Sequence, residues 1–227
     1  QIQKEWEKLD AKSNNQYSKF WNKYGLEFGG CTPWYESENF WKGVEENIPY
    51  LEKVYMTGGE PTLIPGNYHF LNRCRELGYA DKIELFFNIN FTNLKDEFIE
   101  QLRDFKWTSV NASLDGYGIV NDYIRAPSRF SMIDKNFRKM AREGGTRLAL
   151  GISPVIQIYN ILNIVDLLEY SEEVGQEANR EILVDFLFCL HPDFLDVIHL
   201  PDNIKQEALH RLEEYKQTSK AYKSRSK

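Results

Sequence analysis

Cysteine is scarce in this chain. Cys31, Cys74 and Cys189 are the only three among 227 residues, and no two are close in sequence. That spacing excludes a disulfide framework and any metal or cluster site built from thiolates of a single loop. The four histidines, His69, His191, His199 and His210, have no zinc-like spacing with one another or with the cysteines. Long uninterrupted apolar runs are also lacking, so no segment reads as a membrane span. Excess positive charge is missing: the formal net charge is −6, which disfavours a broad nucleic-acid groove. Hydrophobic content of 42% and charged content of 27% are those of a soluble globular protein. The expectation is a cytoplasmic protein acting on a small molecule or a protein, with Cys74 and Cys189 as small buried hydrophobes.

Strand-length apolar runs occur at Lys53 to Met56, Lys82 to Asn88, Ser109 to Leu114, Leu148 to Ile156 and Ile182 to Leu190. Helix-like sequence follows each: Asn67 to Leu77, Lys95 to Phe105, Met132 to Glu143, Ile161 to Val174 with Gly175 as its stop, and Asp202 to Tyr222. Strands alternating with helices predict right-handed βαβ units and a parallel sheet. Five units do not close an eight-stranded barrel. The expected fold class is therefore α/β, a partial (β/α)6 TIM-like barrel. Further helical stretches are expected over Ile2 to Tyr24 and Asn39 to Asn47, so a βα rhythm opening on a helix implies that a first strand is missing from this sequence. The expected division is a helical segment over 1–49, the partial barrel over 50–200, and a C-terminal helix with a basic tail over 201–227.

The most informative stretch is Val54-Tyr55-Met56-Thr57-Gly58-Gly59-Glu60-Pro61, where an apolar run stops at two glycines, an acid and a proline. Gly58 and Gly59 reach backbone conformations closed to other residues, and Pro61 biases Glu60 towards an extended conformation. Such a loop at the carboxyl end of a parallel strand is where these folds place ligands, although an ordinary strand-to-helix turn reads the same way. Ser113 and Asp115 lie two apart at the end of another strand and so share a face. Arg125 follows. Asn88 with Asn93, and Gln157, are polar residues at two further strand exits.

Thr57-Gly58-Gly59-Glu60-Pro61 resembles the glycine-glycine-glutamate-proline loop of the radical SAM superfamily. Ser109-Val110-Asn111-Ala112-Ser113-Leu114-Asp115-Gly116-Tyr117, followed by Asn121-Asp122-Tyr123-Ile124-Arg125, is similar to the fourth-strand region of its SPASM and twitch-related members. Ile83 to Asn93 and Leu148 to Asn160 resemble the third and fifth strands. The likeness covers about residues 50 to 200. It implies S-adenosylmethionine and a 4Fe-4S cluster as cofactors, an electron donor as a partner, and a 5'-deoxyadenosyl radical that modifies a peptide, protein or small-molecule substrate. It also implies a set of cofactor contacts. Backbone groups of Gly58 and Gly59 with Glu60 would receive the methionine ammonium, with Thr57 a cofactor-binding residue of the same loop, Arg125 would take the methionine carboxylate, and Ser113 the carboxylate or ribose. Asp115 would sit beside Ser113, Asn88 would line the cofactor-binding mouth of the barrel, and Gln157 would contact the ribose. The bland readings are a solvated turn acid for Glu60, a turn cap for Asp115 and a surface ion pair for Arg125.

The superfamily's C-x-x-x-C-x-x-C cluster motif does not occur in the 227 residues. Its ligand cysteines are expected upstream of Gln1, with a cluster-less, non-catalytic barrel that binds a partner as the alternative. An unrelated partial TIM-like enzyme using Glu60, Asp115 and Arg125 directly is the third reading.

Overall fold

The computed structural model describes residues 37–219, together with Lys8, Ala11, Lys12, Tyr222 and Lys223. The helices expected over Ile2 to Tyr24, and Cys31, lie outside this continuous stretch. The chain forms two compact units, Gln1–Asn47 and Ile48–Lys227. In the first, helix α1 spans Glu38–Asn47, and Ser37 Oγ accepts the Phe40 amide at 3.2 Å across its first turn.

The second unit is built on a five-stranded parallel sheet of β1 (Lys53–Met56), β2 (Glu84–Ile89), β3 (Trp107–Ala112), β4 (Leu148–Ile152) and β6 (Ile182–Val184), in that spatial order. Short β5 (Val155–Ile156) and β7 (Leu187–Phe188) pair in parallel. The strands thus follow one another in space as they do in sequence. With right-handed crossovers, a monotonic order sends every connecting helix to the same face, whereas a doubly wound fold reverses its order midway. The result is an open partial barrel.

The connecting helices are α2 (Pro65–Glu76), α3 (Asp96–Leu102), a short α4 (Ile119–Ile124), α5 (Phe130–Glu143) and α6 (Ile164–Ala178); α7 (Asp202–Thr218) follows the last strands. In α5 the buried positions are Phe130, Ile133, Phe137, Met140 and Ala141, the 3.6-residue period of a helix with one apolar side. Strand residues alternate: Leu85, Phe87 and Ile89 of β2 and Thr108, Val110 and Ala112 of β3 are buried beneath the helices, while Phe86, Asn88, Ser109 and Asn111 are half-buried on the opposite, open face. Register places Asn88 beside Asn111, Asn111 beside Gly151, and Gly151 beside Leu183 in one row across that open face.

Several boundaries differ from the sequence reading. The run Leu148 to Ile156 breaks at Ser153-Pro154 into β4 and β5, and the run from Ile182 breaks opposite it into β6 and β7. Proline lacks the amide needed to continue a ladder. Gly175 does not end a helix. It lies inside α6, whose C-cap is Asn179 in the left-handed region at φ 49°. A Cβ on Gly175 would stand 2.8 Å from the Arg180 carbonyl, so the glycine serves close packing of the following turn. The sequence reading also missed α4, which carries Asn121.

The amino ends of the strands are held by charge. Glu84 lies between Lys106, at 2.8 Å, and Lys53, at 3.5 Å. The Lys106 hydrogen bond holds the Glu84 carboxyl below the usual carboxylate range, and its partner pushes the Lys106 ammonium up. A depressed carboxylate contributes stability above its unfolded pKa and loses it as pH falls. This exposed contribution is small and screened by salt.

On α2, Cys74 is fully buried, and burial pushes its thiol up to about 12. A thiol that stays protonated and inaccessible is not a nucleophile. Cys74 is therefore expected to resist alkylation by iodoacetamide at pH 8 in the native protein and to react on denaturation; peptide mass mapping with and without guanidinium checks this.

Candidate functional site at the carboxyl rim of the sheet

The loop after β1 gets its shape from two residues in the left-handed region, Gly58 at φ 88° and Gly59 at φ 57°. Space is not the constraint there, because a Cβ on either would meet nothing within 4 Å. Backbone strain is, and only glycine adopts both conformations cheaply. Thr57, Gly58 and Gly59 are exposed. Glu60 is not a solvated turn acid. Its Oε1 accepts Thr62 Oγ1 at 2.7 Å and the Thr62 amide at 3.3 Å, capping the turn Pro61–Leu63, and its Oε2 accepts the Asn90 amide at 2.8 Å just past β2. The carboxylate therefore fastens the glycine loop to the neighbouring strand exit. Next to it, Phe91 is buried with φ 56°, a strained conformation for a side chain of that size, and Asn136 Nδ2 donates to its carbonyl at 2.8 Å.

At the exit of β3 two of the predicted residues meet as partners, a pairing the sequence reading did not foresee. Arg125 Nε stands 2.6 Å from Asp115 Oδ2, an ion pair by distance, while Asp115 Oδ1 accepts the Val155 amide at 2.8 Å. Asp115 is 4% exposed, so it is neither a surface acid nor a helix cap; it joins the β3 exit to β5 and to the end of α4. Ser113 is half-buried at the end of β3 and donates its amide to the Ile89 carbonyl at 2.8 Å. Asn88 is half-buried on the open face, where its Nδ2 donates to Tyr55 Oη at 2.5 Å. Gln157 is buried, and its amide donates to Asn160 Oδ1 at 2.8 Å. Asn93 donates to the Thr62 carbonyl at 3.3 Å, a role in loop shape.

Asn160 is the residue that sequence reading missed. It is fully buried, and besides accepting from Gln157 its Nδ2 donates to the Asp115 carbonyl at 2.6 Å and the Val155 carbonyl at 2.8 Å. One side chain thus connects Asp115, Val155 and Gln157. Asn163, three residues on, accepts the Tyr117 amide at 2.6 Å through Oδ1. The signal was present as two asparagines at helix spacing after a strand, but short-range turn chemistry explains that pattern equally well.

The structure therefore groups the predicted residues in two sets. Glu60 and the glycines are fastened to the β2 exit, and Asp115, Arg125 and Gln157 are joined through Asn160. Both sets lie at the carboxyl ends of the strands. Asn121 Nδ2 is a donor left there, buried without a hydrogen-bond partner among the described residues, whereas Arg125 Nε already faces Asp115 Oδ2. A buried donor without a partner suits an acceptor-rich ligand such as a carboxylate. The thiols do not fit a cluster. Cys74 lies within the helical layer, Cys189 is buried with its Sγ 3.4 Å from the His191 carbonyl, and no three His, Cys, Asp or Glu side chains among the described residues could hold a metal ion. No helix among them is long and apolar enough to cross a membrane.

Fold and rim together define a partial α/β barrel that carries its ligand-ready groups at the carboxyl edge of the sheet. The chain belongs to the Radical SAM superfamily, whose family model matches residues 18–170. A search among curated proteins found no match. Among solved structures the chain is similar to SuiB from Streptococcus suis, with a TM-score of 0.52 and 17% identity, covering 78% of this chain and 40% of SuiB. SuiB bound to S-adenosylmethionine gives a TM-score of 0.49 and 18% identity over 73% of this chain and 35% of the other. A domain of a pyruvate-formate lyase-activating enzyme from Bacteroides vulgatus ATCC 8482 gives 0.48 and 18%, covering 71% of this chain and 93% of that domain. The chain thus spans well under half of the SuiB chains it resembles, and likeness at this identity establishes the fold alone.

Proposed function

We propose that this chain is the S-adenosylmethionine-binding core of a radical SAM enzyme of the SPASM or twitch-like branch, acting in the cytoplasm on a peptide, protein or small molecule with an electron donor as partner. The observation that carries this reading is the placement of the glycine loop and the Asp115–Arg125 pair at one rim of a sheet belonging to this superfamily. Members use S-adenosylmethionine with a 4Fe-4S cluster, which together supply a radical that takes hydrogen from substrate. The described cysteines do not fit that cluster, so no step is assigned through it; its ligands are proposed to lie outside the sequence given. Residues 50–200 are proposed as the cofactor-binding body, between a helical segment over 1–49 and the C-terminal helix over 201–227.

The residues present do fit S-adenosylmethionine. Carbonyls of Thr57, Gly58 and Gly59 are acceptors for its ammonium, and Glu60 acts by fixing the loop that presents them, since both of its oxygens already accept protein donors. Arg125 pairs with the carboxylate through the guanidinium nitrogens that Asp115 leaves available, and Asp115 sets the angle of the fork. Ser113 donates to the carboxylate or ribose, and Asn88 and Gln157 serve the ribose and adenine side. The catalytic contribution of the chain is orientation. Calorimetric titration of the full-length, cluster-loaded protein with S-adenosylmethionine is expected to show saturable binding that weakens at least tenfold in Ser113→Ala and Arg125→Leu. Absence of binding heat in the unsubstituted protein overturns the assignment.

A further inference from the structure

Three acidic side chains near the carboxyl rim are committed internally. Glu60 accepts from Thr62 and Asn90, Asp115 from Val155 and Arg125, and Asp122 accepts the Phe130 amide. Asp185, by contrast, is exposed, and its carboxylate forms no hydrogen bond or ion pair among the described residues. Its backbone is nevertheless held: the Asp185 amide donates to the Ile152 carbonyl at 2.9 Å, and that of Leu187 to Pro154 at 3.0 Å, continuing the parallel ladder past β6.

The ladder fixes the side to which Asp185 points. Leu183 pairs with Gly151, which pairs with Asn111 on the open face, so by alternation Asp185 and Leu187 share that face with Leu183. The same alternation puts Ser113 above Asn111 and Ser153 above Gly151, and the Ser153 amide donates to Ala112 at 3.0 Å. Ser113, Ser153 and Asp185 therefore form one polar row along the rim. Asp185 is flanked along its own strand by Leu183 and Leu187, exposed to 51% and 54%.

A carboxylate between two exposed leucines, with a hydroxyl beside it, is complementary to a cation on an aliphatic stem. Two carboxylate oxygens and the Ser153 hydroxyl supply three acceptors for the three protons of an ammonium. A guanidinium would prefer an aromatic face to stack on, and the flanking side chains are aliphatic. Neighbouring strands lie about 4.8 Å apart, so Asp185 stands roughly 10 Å from Ser113, two strands away. That separation leaves room for a stem of several methylenes between the ammonium and the residue assigned to the cofactor. We infer that Asp185 is a substrate-recognition residue that receives a primary aliphatic ammonium, as on a lysine side chain, and draws its stem across Ser153 towards Ser113. This inference rests on the cofactor-site assignment above.

The test uses the full-length, cluster-loaded protein with S-adenosylmethionine present, and three probes: the Nα-acetyl methylamides of lysine, norleucine and arginine. Saturation-transfer difference NMR titrations are expected to show the lysine probe binding at least tenfold tighter than the other two. The isosteric Asp185→Asn variant should erase at least fivefold of that preference. Equal binding of the three probes, binding of none, or a preference retained in Asp185→Asn overturns the inference. Calorimetry with S-adenosylmethionine on the same preparation separates the two levels. Loss of cofactor binding there refutes the cofactor site, whereas intact cofactor binding without lysine preference refutes the role of Asp185 alone.

Discussion

An Asn160→Ala variant is expected to unfold at a much lower denaturant concentration than the unsubstituted protein. The expected loss is about 3–5 kcal/mol, because each buried polar group left unpaired costs about 1–3 kcal/mol and relaxation recovers part of the sum. Three groups are affected: the Asp115 carbonyl, the Val155 carbonyl and the Gln157 amide. Alanine fills none of the space and replaces none of the bonds, and Asn160 is fully buried, so water does not substitute at low cost. Asn160→Asp is expected to be at least as damaging, since it turns a donor facing two carbonyls into an acceptor near the Asp115 carboxylate. Equilibrium urea unfolding checks both, with the midpoint falling and the slope unchanged. Asp115→Ala should be less than additive with Asn160→Ala, because both remove the tie between the β3 exit and β5. Full additivity would mean that the connection inferred from these distances carries no energy. A loss below about 1 kcal/mol for Asn160→Ala, the size of a single ordinary hydrogen bond, would mean the same.

The contrast between Asp115 and Asn160 shows how far the sequence alone could be read. The sheet was legible because its strands are apolar runs separated by helix-like sequence, and β1 has the bounds its four-residue run implies. The glycine loop was legible for a local reason: consecutive glycines before an acid and a proline announce a backbone shape, and both glycines take positive φ. Asp115 and Arg125 were singled out as residues but not as partners, since the ten-residue interval between them includes a helix too short to stand out. Asn160 was invisible because its three partners lie at Asp115, Val155 and Gln157, and only the last two are near it in sequence. The breaks at Ser153-Pro154 and Asp185-Phe186 were missed because each run was read as one strand across a proline that cannot donate to the ladder and the residues opposite it. Local chemistry is written in local sequence, and contacts between strand exits are written in topology, which only the folded arrangement supplies.

Phe91 offers a test of strain at this rim with an unusual ordering. Its ring is fully buried and packs edge-on against Phe137, with centroids 5.2 Å apart, so truncation to alanine is expected to cost about 3–5 kcal/mol. The ordinary expectation is that glycine at the same position is worse still, because it frees the unfolded chain and removes one more carbon. Here the order should invert. At φ 56° an alanine keeps the left-handed penalty of about 1–2 kcal/mol that glycine does not carry. The loop has reason to stay left-handed after the ring is gone: Glu60 still holds the Asn90 amide, Asn90 Oδ1 accepts the Thr92 amide and hydroxyl, and Asn136 holds the Phe91 carbonyl. Those bonds fix the backbone on both sides of residue 91 independently of its side chain. Phe91→Gly is therefore expected to melt a few degrees above Phe91→Ala, since about 1 kcal/mol corresponds to roughly 2–4 °C in a chain of this size. Paired calorimetric scans of the two variants decide it. If alanine is the more stable, the left-handed backbone relaxes when the ring is removed, and the Glu60 and Asn136 contacts are too weak to hold the β2 exit in place. If glycine is the more stable, this polar frame specifies the loop, and the aromatic ring adds burial to a conformation that is already set.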